Sequence, residues 1–258
     1  MGGAVREDPN RFLGTWNPPP SEATLWRYVT LARLTSLVLR REDGLGRLFF
    51  ARADLLGDPH EGAATSAILE RRDAALGTLE ETLDGEFSRG YHDFMQNWRR
   101  HFGVSCWHMN DGESAALWQL YSQGEGAVAL RSSTARLFDA LGGSGRANKI
   151  EVGAVSYIDY QVDDFRSPGP ESRLFHKRSA YSHEREVRAI CWMDGADFPA
   201  HHREPGIAIP VDVEVLLDSV VLPPQAPPWI GETVERLVRT TGYSFQVEVS
   251  RLDEQPRF

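Results

Sequence analysis

Short apolar runs separated by polar turns organise this chain, and their spacing alternates between the two-residue period of strands and the wider period of helices. From Thr24, Leu25, Arg27 and Val29 fall on one side of a short strand, with Trp26, Tyr28 and Thr30 on the other. A helix follows over Leu31 to Arg41, then a strand over Arg47 to Asp54. Residues 66 to 100 carry helical spacing with a break at Asp84-Gly85, and His101 to His108 returns to strand. An aromatic helix passes through Trp118 and Tyr121, followed by strand Ala127 to Leu130, helix Thr134 to Leu141 and strand Ile150 to Tyr160. Val187, Ala189 and Cys191 alternate with charged neighbours as in a half-buried strand, so Glu184, Glu186 and Arg188 share one face. The tail predicts strand Val213 to Leu222, helix Trp229 to Thr241 stopped by Gly242, and strand Phe245 to Val249, in the order of a βαβ crossover. The expected fold is α+β: a single domain over residues 24–258 with a mixed, mostly antiparallel sheet flanked by helices, preceded by an extended arm over residues 1–23.

Turn chemistry explains several polar residues without invoking a site. Asp58, Pro59 and Glu61 have the order of an N-cap, a first-turn proline and a capping-box acid, and Asn110 to Glu113 resembles a second cap. Gly142-Gly143-Ser144-Gly145 reads as a linker, because no Gly-Lys-Ser/Thr follows it to make a phosphate loop. His201-His202 reads as part of a solvated loop.

Composition adds limits. The 258 residues, 41% of them hydrophobic and 10% aromatic, can fill a packed core. A net charge of −9 disfavours an extended nucleic-acid duplex or an acidic membrane surface as partner, and leaves room for a local basic site that takes a small anion. The two cysteines, Cys106 and Cys191, lie in apolar runs and read as buried reduced thiols. No apolar run approaches the ~20 residues of a membrane span, and the first residues lack an apolar signal core, so a cytoplasmic location is expected.

Against that acidic background, residues 173 to 188 (R-L-F-H-K-R-S-A-Y-S-H-E-R-E-V-R) gather five Lys/Arg and two His. A face with two carboxylates and a guanidinium can pair internally, bind sugar hydroxyls or hold a metal. Arg27, amid apolar strand neighbours, requires either an outward path or a carboxylate partner such as Glu184 or Glu186. Asp54, Asp58, Glu61, Glu113, Glu184 and Glu186 offer oxygens for Mg²⁺ or Mn²⁺, with His176 or Lys177 nearby, although no spacing enforces this. Cys106, His108, His176, His183 and Cys191 lack the paired spacing of a zinc site. Trp26, Tyr28, Trp107, Trp118 and Trp192 are expected mainly in the core, where one of them can line a pocket.

The stretches Leu25-Trp26-Arg27-Tyr28, Phe50-Ala51-Arg52-Ala53-Asp54 through Asp58-Pro59-His60-Glu61-Gly62, Cys106-Trp107-His108-Met109-Asn110 with Glu113-Ser114, and Phe175-His176-Lys177-Arg178 with His183-Glu184-Arg185-Glu186-Val187-Arg188 together resemble a widespread bacterial family of unknown function. A second resemblance is to ADP-ribosyltransferases of the arginine, serine, glutamate type. Arg27, the Phe49 to Asp54 strand and Glu184-x-Glu186 fall in that order, with Ala51 where a serine is expected.

This second resemblance implies NAD as co-substrate, Arg27 on its phosphate or ribose, Glu186 supporting an oxocarbenium-like transition state, and Glu184 tuning the acceptor. The expected catalytic pair is Glu186 and Glu184, and the expected ligand-binding set is Arg27, Arg52, His176, Lys177, Arg178 and Arg188, with no metal. The ligand is a phosphate-bearing small molecule or nucleotide. The alternatives are a non-catalytic nucleotide-binding or sensor domain and a metal-dependent phosphoesterase or nuclease.

Overall fold

The computed structural model describes residues 17–80, 94–95, 97–121, 126–142, 150–165, 169–193 and 204–256. Most of the expected arm, the break at Asp84-Gly85, the linker beyond Gly142 and the His201-His202 loop lie outside these residues. The described chain is an α+β domain whose nine-stranded sheet is mixed and mostly antiparallel, with helices on its flanks. No described helix is long and apolar enough to cross a membrane.

The sheet runs β11 (Gln246–Glu248), β10 (Ser219–Val221), β4 (Ala127–Ser133), β1 (Thr24–Thr30), β3 (Phe102–Met109), β2 (Gly46–Arg52), β9 (Gly206–Val211). From β3 it also continues through β8 (Glu186–Trp192) to β5 (Ile150–Ala154). β6 (Ser156–Ile158) and β7 (His176–Arg178) form a separate parallel pair. β10 and β11 are the parallel pair of the main sheet, joined through helix Pro228–Thr241 as the tail pattern predicts. Gly242 closes that helix at φ 74°, a left-handed conformation that glycine adopts without Cβ strain.

The functional geometry originates in how β3 is shared. β8 pairs with it along its whole length, from Phe102↔Trp192 to His108↔Glu186. The opposite edge is divided: β1 pairs only at Leu25↔Met109 and Trp26↔His108, and β2 only at Ala51↔Val104 and Arg52↔Gly103. Between those contacts the strands diverge, β1 following β4 and β2 following β9. A split therefore opens in the sheet beside Ser105, Cys106 and Trp107. Helix α1 (Leu31–Val38) leaves the end of β1 and packs against the start of β2, where Gly46 approaches the Leu37 carbonyl and Val213 so closely that any side chain would collide.

Leu25, Trp107, Val187 and Ala189 belong to the main core, while Trp26 and Tyr28 pack on the other side of β1 with Leu117 and Trp118. A third cluster joins Trp98, Phe102, Val104, Leu174, Phe175 and Ile190. β8 is consequently buried on both faces up to Trp192, rather than half-buried: its two sides enter two different cores, with Glu186 and Arg188 carried inward.

Three further expectations change. Ile150 to Tyr160 divides into β5 and β6. Val213 to Leu222 is not one strand, because the Asp212 carboxylate accepts from the Glu214 and Val215 amides and caps a helical turn, Val213–Leu216, before β10 begins. Gly206–Val211, to which the sequence pattern assigns no element, is the edge strand β9, where Pro210 is tolerated.

Candidate functional site

The split in the sheet is a pocket of about 330 Å³. β1 contributes Arg27 and Tyr28, α1 contributes Arg33, β2 contributes Arg47 and Phe49, β3 contributes Cys106 and His108, and helix α3 (Ala115–Tyr121; α2 is Ser66–Glu80) contributes Tyr121. The Arg27 guanidinium crosses the split, Nη1 donating to Ser105 Oγ at 2.5 Å on β3 and Nη2 to the Phe49 carbonyl at 3.1 Å on β2. It lies 5.8 Å from the centre of the Trp107 ring, whose own Nε1 donates to the same Ser105 hydroxyl at 3.2 Å. Neither Glu184 nor Glu186 pairs with it, and among the described residues no carboxylate forms an ion pair with Arg27. Burial pushes its pKa down to about 10, which leaves it cationic at neutral pH.

The other two arginines differ from each other. Arg47 is held by Asp43 at 2.7 Å. The Arg33 guanidinium lies over the Phe49 ring, its Cζ 3.7 Å from the ring centre. The pocket thus presents cationic groups beside an aromatic shelf.

Across β3 from the pocket lies a buried ionic cluster. Lys177 Nζ is 2.7 Å from Glu184 Oε2, 2.5 Å from Glu186 Oε1 and 3.5 Å from Glu61 Oε1. Arg188, fully buried, reaches Glu186 Oε2 at 2.7 Å, Glu61 Oε2 at 2.5 Å and the Leu174 carbonyl at 2.6 Å. Glu186 is ionised despite its burial: burial opposes the charge, but Arg188, a hydrogen bond from Glu184 and Lys177 hold its pKa well below the usual carboxylate range. Lys177 is likewise kept charged, burial being outweighed by Glu186, Glu184 and Glu61.

Glu184 lies at the edge of this cluster. It is not on the strand: it ends the turn Ser179–Glu184, and Arg185 takes the left-handed conformation (φ 45°, ψ 52°) before β8 starts. This bend brings the two carboxyl groups together instead of spacing them along one strand face. Burial, reinforced by its hydrogen bond to Glu186, pushes the Glu184 pKa up to about 7.

That shift carries a sign. A carboxyl group with a raised folded-state pKa stabilises the fold in its protonated form, and this contribution is lost as pH rises through about 7. Glu184→Gln is expected to remove this loss, so that thermal unfolding of the variant falls less than that of wild type between pH 5.5 and pH 8. An unchanged slope would refute the raised pKa of Glu184.

Lys177, Glu184, Glu186 and Arg188 come together as the sequence reading expects, but the other members of that set do not. His176 is a buried ring stacked 3.6 Å from Phe165, its Nδ1–H donating to the Ser172 carbonyl at 3.0 Å. Arg178 makes two contacts to Asp58, at 3.0 Å and 2.9 Å. Arg52 pairs with Asp54 at 2.6 Å and donates to the Glu204 carbonyl at 3.0 Å, away from the pocket. Glu61 is not a capping-box acid. Asp58 Oδ1 accepts from the His60 amide in a local turn, the next helix starts at Ser66, and the Glu61 carboxylate turns inward to Arg188.

Glu113 likewise serves tertiary contacts, accepting from Trp118 Nε1, Ser250 Oγ and the Arg251 amide, while Ser114 Oγ accepts from the Leu117 amide. Most of the acids considered for a divalent cation therefore already face arginine, lysine or amide donors. Among the described residues, no group of three or more His, Cys, Asp or Glu is placed to hold a metal ion. Arg33, Ser105 and Tyr121 carry no binding signal in the sequence, and His108 enters there only as a candidate zinc ligand. Only tertiary structure brings them to the split.

No family model and no curated protein matches the chain. Among solved structures it is similar to Thermus sp. 2.9 DarT in complex with NAD+, at 11% identity over 92% of this chain and 99% of that chain, with a TM-score of 0.39. The same protein in complex with ADP-ribosylated ssDNA is similar at 13% identity over 93% of this chain and 100% of that chain, with a TM-score of 0.40.

Proposed function

We propose that the protein binds NAD in the split between β1 and β2 and cleaves its nicotinamide glycosidic bond, as an ADP-ribosyltransferase-like enzyme. One observation carries the reading. Arg27 is charged, enclosed and fixed by two neutral acceptors, with no carboxylate among the described residues to neutralise it, on the wall of a pocket that opens through the sheet. Enclosing an unneutralised guanidinium costs stability, so its placement fits a ligand that brings the anion. A planar guanidinium suits a phosphate, and Arg33 on Phe49 adds a second cation beside an aromatic surface for a base or ribose.

The carboxylates lie on the far side of β3. Loss of nicotinamide leaves positive charge on the ribose, which a positioned negative group stabilises. Glu186 provides a fixed charge, and Glu184, with 13% of its side chain exposed, is the more accessible carboxyl and holds a proton that it can exchange near neutral pH. The order Arg27 then Glu184-x-Glu186 is that of the transferases this sequence resembles.

A second reading, a non-catalytic nucleotide sensor, draws on a different observation: both Glu186 oxygens are engaged by Lys177 and Arg188, and its side chain is 2% exposed. Nicotinamide release separates the two. The enzyme reading expects turnover in wild type that falls about a hundredfold or more in Glu186→Gln with the fold intact. The sensor reading expects binding without release in either protein.

A further inference from the structure

The lining of the pocket is one-sided in charge. Arg27, Arg33 and Arg47 all line it, and among the described residues no aspartate or glutamate does, in a chain whose net charge is −9. The three arginines are not equivalent. Arg47 is neutralised by Asp43, which holds it at 3.2 Å and 2.7 Å from outside the lining. Arg27 lies in the split, fixed by Ser105 and the Phe49 carbonyl.

Arg33 is the third case. It stands in the first turn of α1, where no acidic residue accompanies it, and its amide donates to Thr30 Oγ1, the cap of that helix. Among the described residues no carboxylate pairs with its guanidinium, which lies over the Phe49 ring. This contact holds the cation without a counter-charge and leaves its N–H donors for a ligand. Ser36, three residues further along α1 on the same face, also lines the pocket, so a hydroxyl and a guanidinium border one place. Phe49 links that place to the split, with Arg33 over its ring and Arg27 on its carbonyl. Burial first, and the Arg33 charge after it, lower the Arg27 pKa, so the two cations repel each other.

We propose that Arg33 makes the pocket selective for the dinucleotide phosphorylated on its adenosine ribose, NADP+, over NAD. The inference rests on the nucleotide reading above and adds the 2′-substituent of the ligand to it. A free ribose diol is best met by a carboxylate, which accepts from the hydroxyls and repels a phosphate in their place; an arginine does the opposite. Here the arginine is present, and among the described residues the carboxylate is not. With the diphosphate on Arg27, the 2′-phosphate falls to the second cation that has no counter-charge. Arg33 is exposed, so the side of its guanidinium turned away from Phe49 offers a surface on which the adenine can stack. A phosphate facing one partly screened guanidinium gains about tenfold in affinity over a hydroxyl at the same position.

The test is calorimetric titration of ADP-ribose and ADP-ribose 2′-phosphate, which carry the difference without a nicotinamide bond to cleave, at one ionic strength. The proteins are wild type, Arg33→Ala and Arg236→Ala, the last an exposed change on helix Pro228–Thr241 outside the pocket. Wild type is expected to bind the phosphorylated ligand about tenfold more tightly. Arg33→Ala is expected to bind the two ligands equally, while Arg236→Ala keeps the full preference. Equal binding by wild type, an undiminished preference in Arg33→Ala, or a loss as large in Arg236→Ala overturns the inference and leaves nucleotide binding standing. Failure of both ligands to bind wild type overturns both.

Discussion

Replacing Arg27 by methionine is expected to weaken nucleotide binding by roughly thirtyfold or more while leaving the ligand-free protein as stable as wild type, or more so. The two effects have one cause. In the free protein the guanidinium has two neutral acceptors, Ser105 Oγ and the Phe49 carbonyl, and no counter-charge among the described residues, so removing it relieves a desolvation cost. Ser105 Oγ keeps the Trp107 indole as a partner, which limits the polar groups stranded by the change to the Phe49 carbonyl, at a cost of about 1–2 kcal/mol.

In the complex the same cation would meet a phosphate in a pocket partly shielded from water. Truncating one member of such a pair costs about 2–5 kcal/mol, a loss of roughly thirtyfold or more in affinity. Calorimetric titration of NAD, with thermal unfolding of both proteins without ligand, checks both halves. A variant that binds normally shows that the anion sits elsewhere, and one that unfolds early shows that Arg27 is a structural strut.

Arg27 was legible in the sequence for a local reason: a charged residue between Leu25 and Val29 on an apolar strand face must be accounted for within that strand. The Glu-x-Glu pair and its basic surroundings were legible because they stand out in composition. Glu61 was not, since Asp58-Pro59-x-Glu61 satisfies a capping pattern by itself and the true partner, Arg188, lies 127 residues away. The left-handed Arg185 that folds Glu184 onto Glu186 was equally hidden, because no glycine or asparagine marks it.

β9 was missed because Pro210 argues against a strand, a rule that an edge position relaxes. The helical turn Val213–Leu216 was hidden because a single turn is too short to show a 3.6-residue period, and its alternating Val-Glu-Val resembles β structure. The sheet's division at β3 depends on which strands share an edge, which no local pattern encodes.

Arg188→Met is expected to cost the most stability of any single change in the ionic cluster, in contrast to Arg27→Met. Arg188 is 0% exposed and joins Glu186 on its own strand to Glu61 on the turn after β2. Removing it leaves two buried carboxylates with only Lys177, which already serves Glu184, and strands the Leu174 carbonyl. Breaking a buried pair from one side costs about 3–5 kcal/mol, a large share of the 5–15 kcal/mol that holds a typical domain together. For a chain of this size the melting temperature should drop by on the order of 10 °C.

The pH dependence distinguishes charge from lost packing. With Arg188 present, Glu186 titrates well below an unfolded carboxyl group, so its contribution is present at neutral pH and is lost as pH falls. Without Arg188 burial dominates and the folded-state pKa of Glu186 rises, which reverses the sign. The deficit of Arg188→Met relative to wild type should therefore be larger at pH 8 than at pH 5, and adding Glu186→Gln should recover part of it at pH 8. A deficit that is equal at both pH values and unchanged in the double variant would mean that Arg188 stabilises β8 through its packed volume and its bond to Leu174, and that the ionic cluster contributes no net charge stabilisation to the fold.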